Sequence, residues 1–275
     1  MKDFRFGWWT TGRDEAAVNL FNVVKKAVED GEINGDFCYV FISRAPGEGQ
    51  FSDEIARIAH EKDIPLVQFS AIRFEPDLRK GNRDKWRTKY HEELYKRIEP
   101  FGCKLAVLAG YMWVLSPEIC SKISAINLHP ALPGGPAGTW QEVIWQLLEK
   151  DADKTGAMMH LVTPELDKGP AVTFFSFDIR GDSWDHLWEE FKALKEKHGM
   201  DYVKNKIGEK LALFKKIRHE GEIRELPLIV ETLKAFANKK IILKEGNFYN
   251  ASGEPLTAPL DLSAFVDEKI KLNEA

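Results

Sequence analysis

Phe37-Cys-Tyr-Val-Phe-Ile-Ser43 is a nearly unbroken apolar run, and a strand of that kind needs cover on both faces. Three more short runs resemble it: Phe4-Arg-Phe-Gly-Trp-Trp-Thr10, Pro65-Leu-Val-Gln-Phe69 and Lys104-Leu-Ala-Val-Leu-Ala-Gly110. Helical spacing fills the intervals. Ala17, Leu20, Phe21, Val24 and Val28 make one stripe, and Ser52–Lys62 reads as a second helix. From Asn82 to Ile98, Trp86, Tyr90, Leu94 and Ile98 share a face opposite Arg83, Arg87 and Arg97. Strands alternating with helices predict an α/β fold: a Rossmann-like, mostly parallel sheet with flanking helices and right-handed crossovers.

Local punctuation sharpens the boundaries. Thr11-Gly12-Arg13-Asp14 is a turn, with Asp14 placed to cap the first helix. Ser116 can cap a short helix that has Pro117 at its first position. A helix from Thr139 to about Lys150 buries Val143, Ile144, Leu147 and Leu148. Thr155–Val162 and Ala171–Asp178 read as two strands, an antiparallel extension of the sheet joined by a loop containing Asp167, in which Gly169 is expected to take φ > 0. A helical region then runs from Asp182 to about Ala237, with Gly199 and Gly208 interrupting it, a stripe of Val203, Ile207, Leu211 and Phe214, and Pro227 at a helix start. Ile241–Pro259 reads as a small hairpin around Asn250-Ala-Ser-Gly253, followed by loop. The expected organisation is an α/β core over residues 1–190, with a C-terminal helical insertion and tail over 191–275 packed on the same domain.

The chemistry points to Ala125-Ile-Asn-Leu-His-Pro-Ala-Leu-Pro-Gly-Gly-Pro-Ala-Gly-Thr139. Asn127 and His129 are two apart in an extended run, so their side chains leave one face of a strand. An amide donor and a titratable imidazole beside a shaped loop can stabilise an oxyanion and move a proton. A net charge of −4 argues against a nucleic-acid partner. Cys38, Cys103 and Cys120 are sparse and unpatterned, which suits a reducing compartment and neither a disulfide framework nor a metal site. The N-terminus lacks a secretory pattern and no run of eighteen apolar residues occurs, so a cytoplasmic protein away from membranes is expected.

Leu105–Ile119, Ile126–Pro133 and Thr155–Val172 carry, in order, LAVLAGYMWVLSPEI, INLHPALP and TGAMMHLVTPELDKGPAV. That N-x-H-P … L-D-x-G-P series resembles the folate-dependent formyltransferase family. The resemblance implies the formyltransferase fold, 10-formyltetrahydrofolate as cosubstrate, and Asn127, His129 and Asp167 as catalytic residues. In that reading Asp167 holds His129 charged or relays a proton through water. It further implies a pterin pocket lined by Met112, Trp113, Val114 and Leu115 and closed by Thr163, Pro164, Glu165 and Leu166. Gly12, Arg13, Asn19, His160 and Glu222 then match acceptor-binding positions. Within the family the likeness is nearest to members that formylate phosphoribosylglycinamide (GAR) in purine synthesis. The first turn departs from the pattern: Ala17 and Val18 replace Gly and Ser, and Asp14 and Glu15 add negative charge where a phosphate would sit. A nucleotide-linked amino sugar or another amine is the alternative acceptor. A formyltetrahydrofolate hydrolase, a methionyl-tRNA formyltransferase and a silent folate-binding paralogue are further alternatives. Residues 192–216 read as an insertion that covers the amine site or makes a subunit contact, the latter implying a homodimer.

Overall fold

The computed structural model describes residues 2–274. In chain order the elements are β1 (Phe4–Thr10), α1 (Glu15–Glu29), β2 (Gly35–Ile42), α2 (Gln50–Glu61), β3 (Leu66–Gln68), α3 (Pro76–Gly81), α4 (Arg83–Ile98), β4 (Leu105–Leu108), α5 (Pro117–Lys122) and β5 (Ser124–His129). They continue with α6 (Trp140–Glu149), β6 (Lys154–Leu161), β7 (Ala171–Asp178), α7 (Asp185–His198), α8 (Met200–Tyr202), α9 (Ala212–Ala237), β8 (Ile241–Lys244), β9 (Asn247–Asn250), β10 (Leu260–Asp261) and α10 (Ser263–Glu274). Two compact units emerge. Of the described residues, one comprises 2–128, 159–172 and 229–259; the other comprises 129–158, 173–228 and 260–274.

In the first unit the strands stand in the order β6-β5-β4-β1-β2-β3. The pairs β1–β2, β1–β4, β2–β3 and β4–β5 are parallel, as the alternation of strands and helices predicts. The order reverses at β1, with β2 and β3 on one side and β4 and β5 on the other. In open parallel sheets, ligands bind beyond the carboxyl ends of the strands at such a reversal. The loops leaving β1 and β4 are tied together there. Thr11 N–H donates to Gly110 O, and Met112 N–H to Thr11 Oγ1, both at 3.0 Å.

The core of this unit follows the predicted helix face. Trp86, Tyr90, Leu94 and Ile98 of α4 are buried with Trp9, Phe41, Leu108 and Tyr111. Tyr90 stacks on Trp86 at 5.1 Å and on Phe69 at 4.8 Å. Its hydroxyl donates to Phe69 O at 2.7 Å, so the buried polar atom is satisfied. Burying a side chain such as Phe41 or Leu94 contributes roughly 1.5–3 kcal/mol. The hairpin β8–β9 also lies in this unit, but it turns at Glu245-Gly246 (φ 51° and 74°), with Lys244 opposite Asn247. Asn250–Gly253 makes a separate turn, closed by Gly253 N–H on Asn250 O at 3.0 Å.

In the second unit β7 lies between β6 and β10, and β10 runs parallel to β7. Helix α6 starts at the expected residue. Thr139 Oγ1 accepts from Glu142 N–H while the Glu142 carboxylate accepts from Thr139 N–H, a reciprocal cap. Its Val143, Ile144, Leu147 and Leu148 pack with Trp184, Trp188, Phe191, Val203, Leu211 and Phe214. The two suspected glycines do break the helical region: Gly199 (φ 82°) ends α7, and Gly208 (φ 59°) follows a π turn at Val203–Ile207. Pro227 does not start a helix; it lies inside α9. Losing one helical hydrogen bond there is outweighed by the apolar residues buried to either side, Phe214 and Ile217 before it and Ile229 and Leu233 after it. Helix α10 belongs to the expected C-terminal helical elaboration; its start is held by Ser263 N–H on Asp261 Oδ1 at 2.9 Å.

Candidate active site

Asn127 lies near the carboxyl end of β5, and in the first unit its partner comes from β6. Val162 N–H donates to Ala125 O at 2.7 Å, lacing the end of β6 to β5. That register brings His160 Nε2 to 3.1 Å from Asn127 Nδ2. His160 is 2% exposed, and its Nδ1 is 2.9 Å from Leu161 O. A carbonyl only accepts, so Nδ1 carries the proton. The Asn127 atom facing Nε2 is the amide nitrogen, which donates. Asp167 Oδ1 stands 3.7 Å from the same Nε2, with its side chain only 7% exposed. The structure thus brings together two of the expected catalytic residues, Asn127 and Asp167. It also places His160, expected at the acceptor site, between them.

The loop 162–170 that delivers Asp167 is closed at its base by Leu161 N–H on Pro170 O at 2.9 Å. A connection this short joins antiparallel neighbours, in line with the expected extension of the sheet. Asp167 itself takes the left-handed conformation, φ 53°. Gly169 does not have positive φ, contrary to the sequence expectation. Its missing side chain serves a close approach instead, since a Cβ there would stand 1.7 Å from Leu161 O. Thr163 Oγ1 donates to Glu165 O at 3.1 Å and so stiffens the segment expected over the pterin.

His129, the last residue of β5, belongs to the second unit. It is buried, and its Nε2–H donates to Pro136 O at 2.8 Å. The loop after it is compact: Ala131 N–H bonds back to His129 O at 2.9 Å and Gly135 N–H to Leu132 O at 2.8 Å.

The Met112–Leu115 segment leaves β4 at the reversal of strand order. Met112 is 44% exposed, and so is Leu166 at 49%, although both are large and apolar. Among the described residues, the main-chain N–H and C=O groups of Trp113, Val114 and Leu115 make no hydrogen bond. Exposed apolar surface beside open backbone donors and acceptors is what a flat heteroaromatic ring requires. Sequence reasoning missed a residue that braces this segment. His91 of α4 is buried; Ser116 N–H donates to its Nδ1 at 3.1 Å, and its Nε2 is 3.4 Å from Tyr111 Oη. Burial, reinforced by Arg87, pushes its pKa down to about 3. The available signal was a titratable residue on an apolar helical stripe, with Leu94 and Ile98 at i+3 and i+7.

The residues expected at the acceptor site are scattered in their settings. Gly12 takes φ 58° and packs so closely that a Cβ would meet Ser52 Cα at 2.6 Å. Arg13 is engaged by Asp14 at 3.4 Å, and Asp14 Oδ1 caps α1 by accepting from Ala17 N–H at 3.3 Å. Asn19 is exposed on α1. Glu222, in the second unit, is held by Arg218 at 2.6 Å. Among the described residues no group of three side chains could hold a metal ion, and no helix is long and apolar enough to cross a membrane.

Known proteins resemble this chain. The phosphoribosylglycinamide formyltransferase of Schizosaccharomyces pombe is 34% identical over 125 residues, covering 42% of this chain and 58% of that protein. Its Escherichia coli counterpart is 34% identical over 104 residues, covering 37% and 48%. The chain therefore spans about half the length of the curated relatives it matches. A phosphoribosylglycinamide formyltransferase structure from Coxiella burnetii shares the fold, with TM-score 0.67, 20% identity and coverage of 94% of this chain and 98% of that one. The formyl transferase family model matches residues 23–198, a span that holds Asn127, His129, His160 and Asp167, and the chain belongs to that family.

Proposed function

We propose that this protein transfers the formyl group of 10-formyltetrahydrofolate to the primary amine of GAR, a step of purine synthesis. The Asn127–His160–Asp167 cluster, with His160 buried at its centre, carries the reading, and the unbonded Trp113–Leu115 backbone lies in the same unit. The amine lone pair attacks the formyl carbon, and the carbonyl oxygen becomes an oxyanion. Asn127 has two amide hydrogens. One is spent on His160 Nε2, which fixes the amide plane; the other remains to meet the oxyanion. The attacking amine must also lose a proton. His129 takes it, or a water held by Asp167 relays it. Collapse of the tetrahedral intermediate then breaks the bond from the formyl carbon to the folate nitrogen, which leaves protonated.

GAR as acceptor is supported by the names of the relatives at 34% identity. One observation favours a second reading. The first turn of α1 is capped by the Asp14 carboxylate, Glu15 follows it, and Arg13 is already engaged by Asp14. That turn is a poorer phosphate cradle than a helix N-terminus with free N–H groups. A nucleotide-linked amino sugar, or another amine held elsewhere, is the acceptor on that reading. Asn127→Ala tests the shared chemistry. Turnover should fall about 10²–10³-fold while folate binding largely survives. Near-normal turnover would remove Asn127 from the mechanism.

A further inference from the structure

We infer that His91 is a positioning residue for the cosubstrate: its imidazole pins both ends of the Met112–Leu115 segment to α4. It thereby sets where the open main-chain groups of that segment meet the pterin. The inference rests on the folate reading of the segment given above.

The two ring nitrogens of His91 face opposite flanks of the loop. Ser116 N–H donates to Nδ1 at 3.1 Å, and a backbone N–H can only donate, so Nδ1 is unprotonated. The ring's proton is then on Nε2, which donates to Tyr111 Oη at 3.4 Å. One neutral tautomer satisfies both contacts, and the residues between them are Met112 to Leu115. A third tie comes from the loop after β1: Thr11 Oγ1 accepts from Met112 N–H and from Ser43 Oγ, both at 3.0 Å. Ser116 is doubly engaged, since its Oγ also caps α5 by accepting from Ile119 N–H at 3.4 Å. Between these ties, Trp113, Val114 and Leu115 have no internal backbone partner among the described residues.

A stretch that keeps its own donors and acceptors open for a ligand cannot be held by them. Its order must come from its flanks, or binding itself bears the entropy of ordering it. His91 supplies that order without touching the ligand. Being 1% exposed and neutral, it offers the pterin neither a contact nor a charge.

The test compares wild type with His91→Leu, His91→Gln and Tyr111→Phe. The readouts are KM and kcat for 10-formyltetrahydrofolate, tetrahydrofolate Kd by calorimetry, and Tm. Leucine removes both contacts and should raise KM and Kd about tenfold with kcat within about twofold. Glutamine keeps one donor and one acceptor and should recover most of the loss. Tyr111→Phe removes a single contact and should fall between. Should the leucine variant fail to fold, the other two decide. Folded variants with wild-type KM and Kd would overturn the positioning role alone. A wild type that binds no tetrahydrofolate would overturn the folate reading and this inference together.

Discussion

Acid should weaken this protein through His91. The imidazole is buried on α4 and held neutral, with burial first and Arg87 second keeping its pKa at about 3 against an ordinary 6.5. Between those values the unfolded chain binds a proton that the folded chain refuses. The contribution is therefore fully present above pH 6.5 and is lost as the pH falls towards 3. At about 1.36 kcal/mol per pH unit, the window is worth roughly 5 kcal/mol, of which about 2 kcal/mol goes between pH 6.5 and 5.0. That is a large share of the roughly 5–15 kcal/mol that stabilises a folded domain. Urea unfolding followed by tryptophan fluorescence, at about pH 7.5, 6.0 and 5.0, would measure it. His91→Gln has no proton to gain at this position and serves as the reference. Wild type should lose about 2 kcal/mol more than the variant between the two extremes. Parallel losses would refute the buried neutral imidazole, and with it the tautomer on which the Tyr111 and Ser116 contacts depend.

Two other substitutions probe different links. Gly169→Ala would place a Cβ 1.7 Å from Leu161 O, so loop 162–170 must shift and carry Asp167 with it. A stability loss of about 1–3 kcal/mol should accompany a fall in turnover on the order of tenfold or more, and wild-type kinetics would contradict the close approach. Thr139→Ala breaks the reciprocal cap of α6 and should cost about 1 kcal/mol. Its Tm should drop about 2–4 °C in calorimetry, with steady-state kinetics unchanged.

Much of the first unit was legible because its signals are local. Apolar runs marked β1, β2, β3 and β4, and Asp14, Asn82 and Ser116 each cap the helix they precede. The features that escaped depend on partners distant in sequence or on unusual backbone. His91 means little until α4 is laid beside Tyr111 and Ser116. Asn127 and His129 announced themselves as a same-face pair on one strand. The partner seen on Asn127 is His160, and only the lacing of β6 to β5 reveals it. The hairpin turn at Glu245-Gly246 was overlooked because glutamate rarely takes φ near 51°, whereas Asn-Ala-Ser-Gly carries the usual turn residues. Pro227 reads as a helix start because the local cost of an internal proline is visible in the sequence and the burial that offsets it is not.

Formyl transfer to GAR is tested directly by the release of tetrahydrofolate from 10-formyltetrahydrofolate by the wild-type protein, measured with and without GAR. Release should depend on GAR, with formyl-GAR appearing in equal amount. Release at the same rate without GAR would mean that water is the acceptor. No release in either case would contradict formyl transfer to GAR even if folate binds, and nucleotide-linked amino sugars would then be the amines to test.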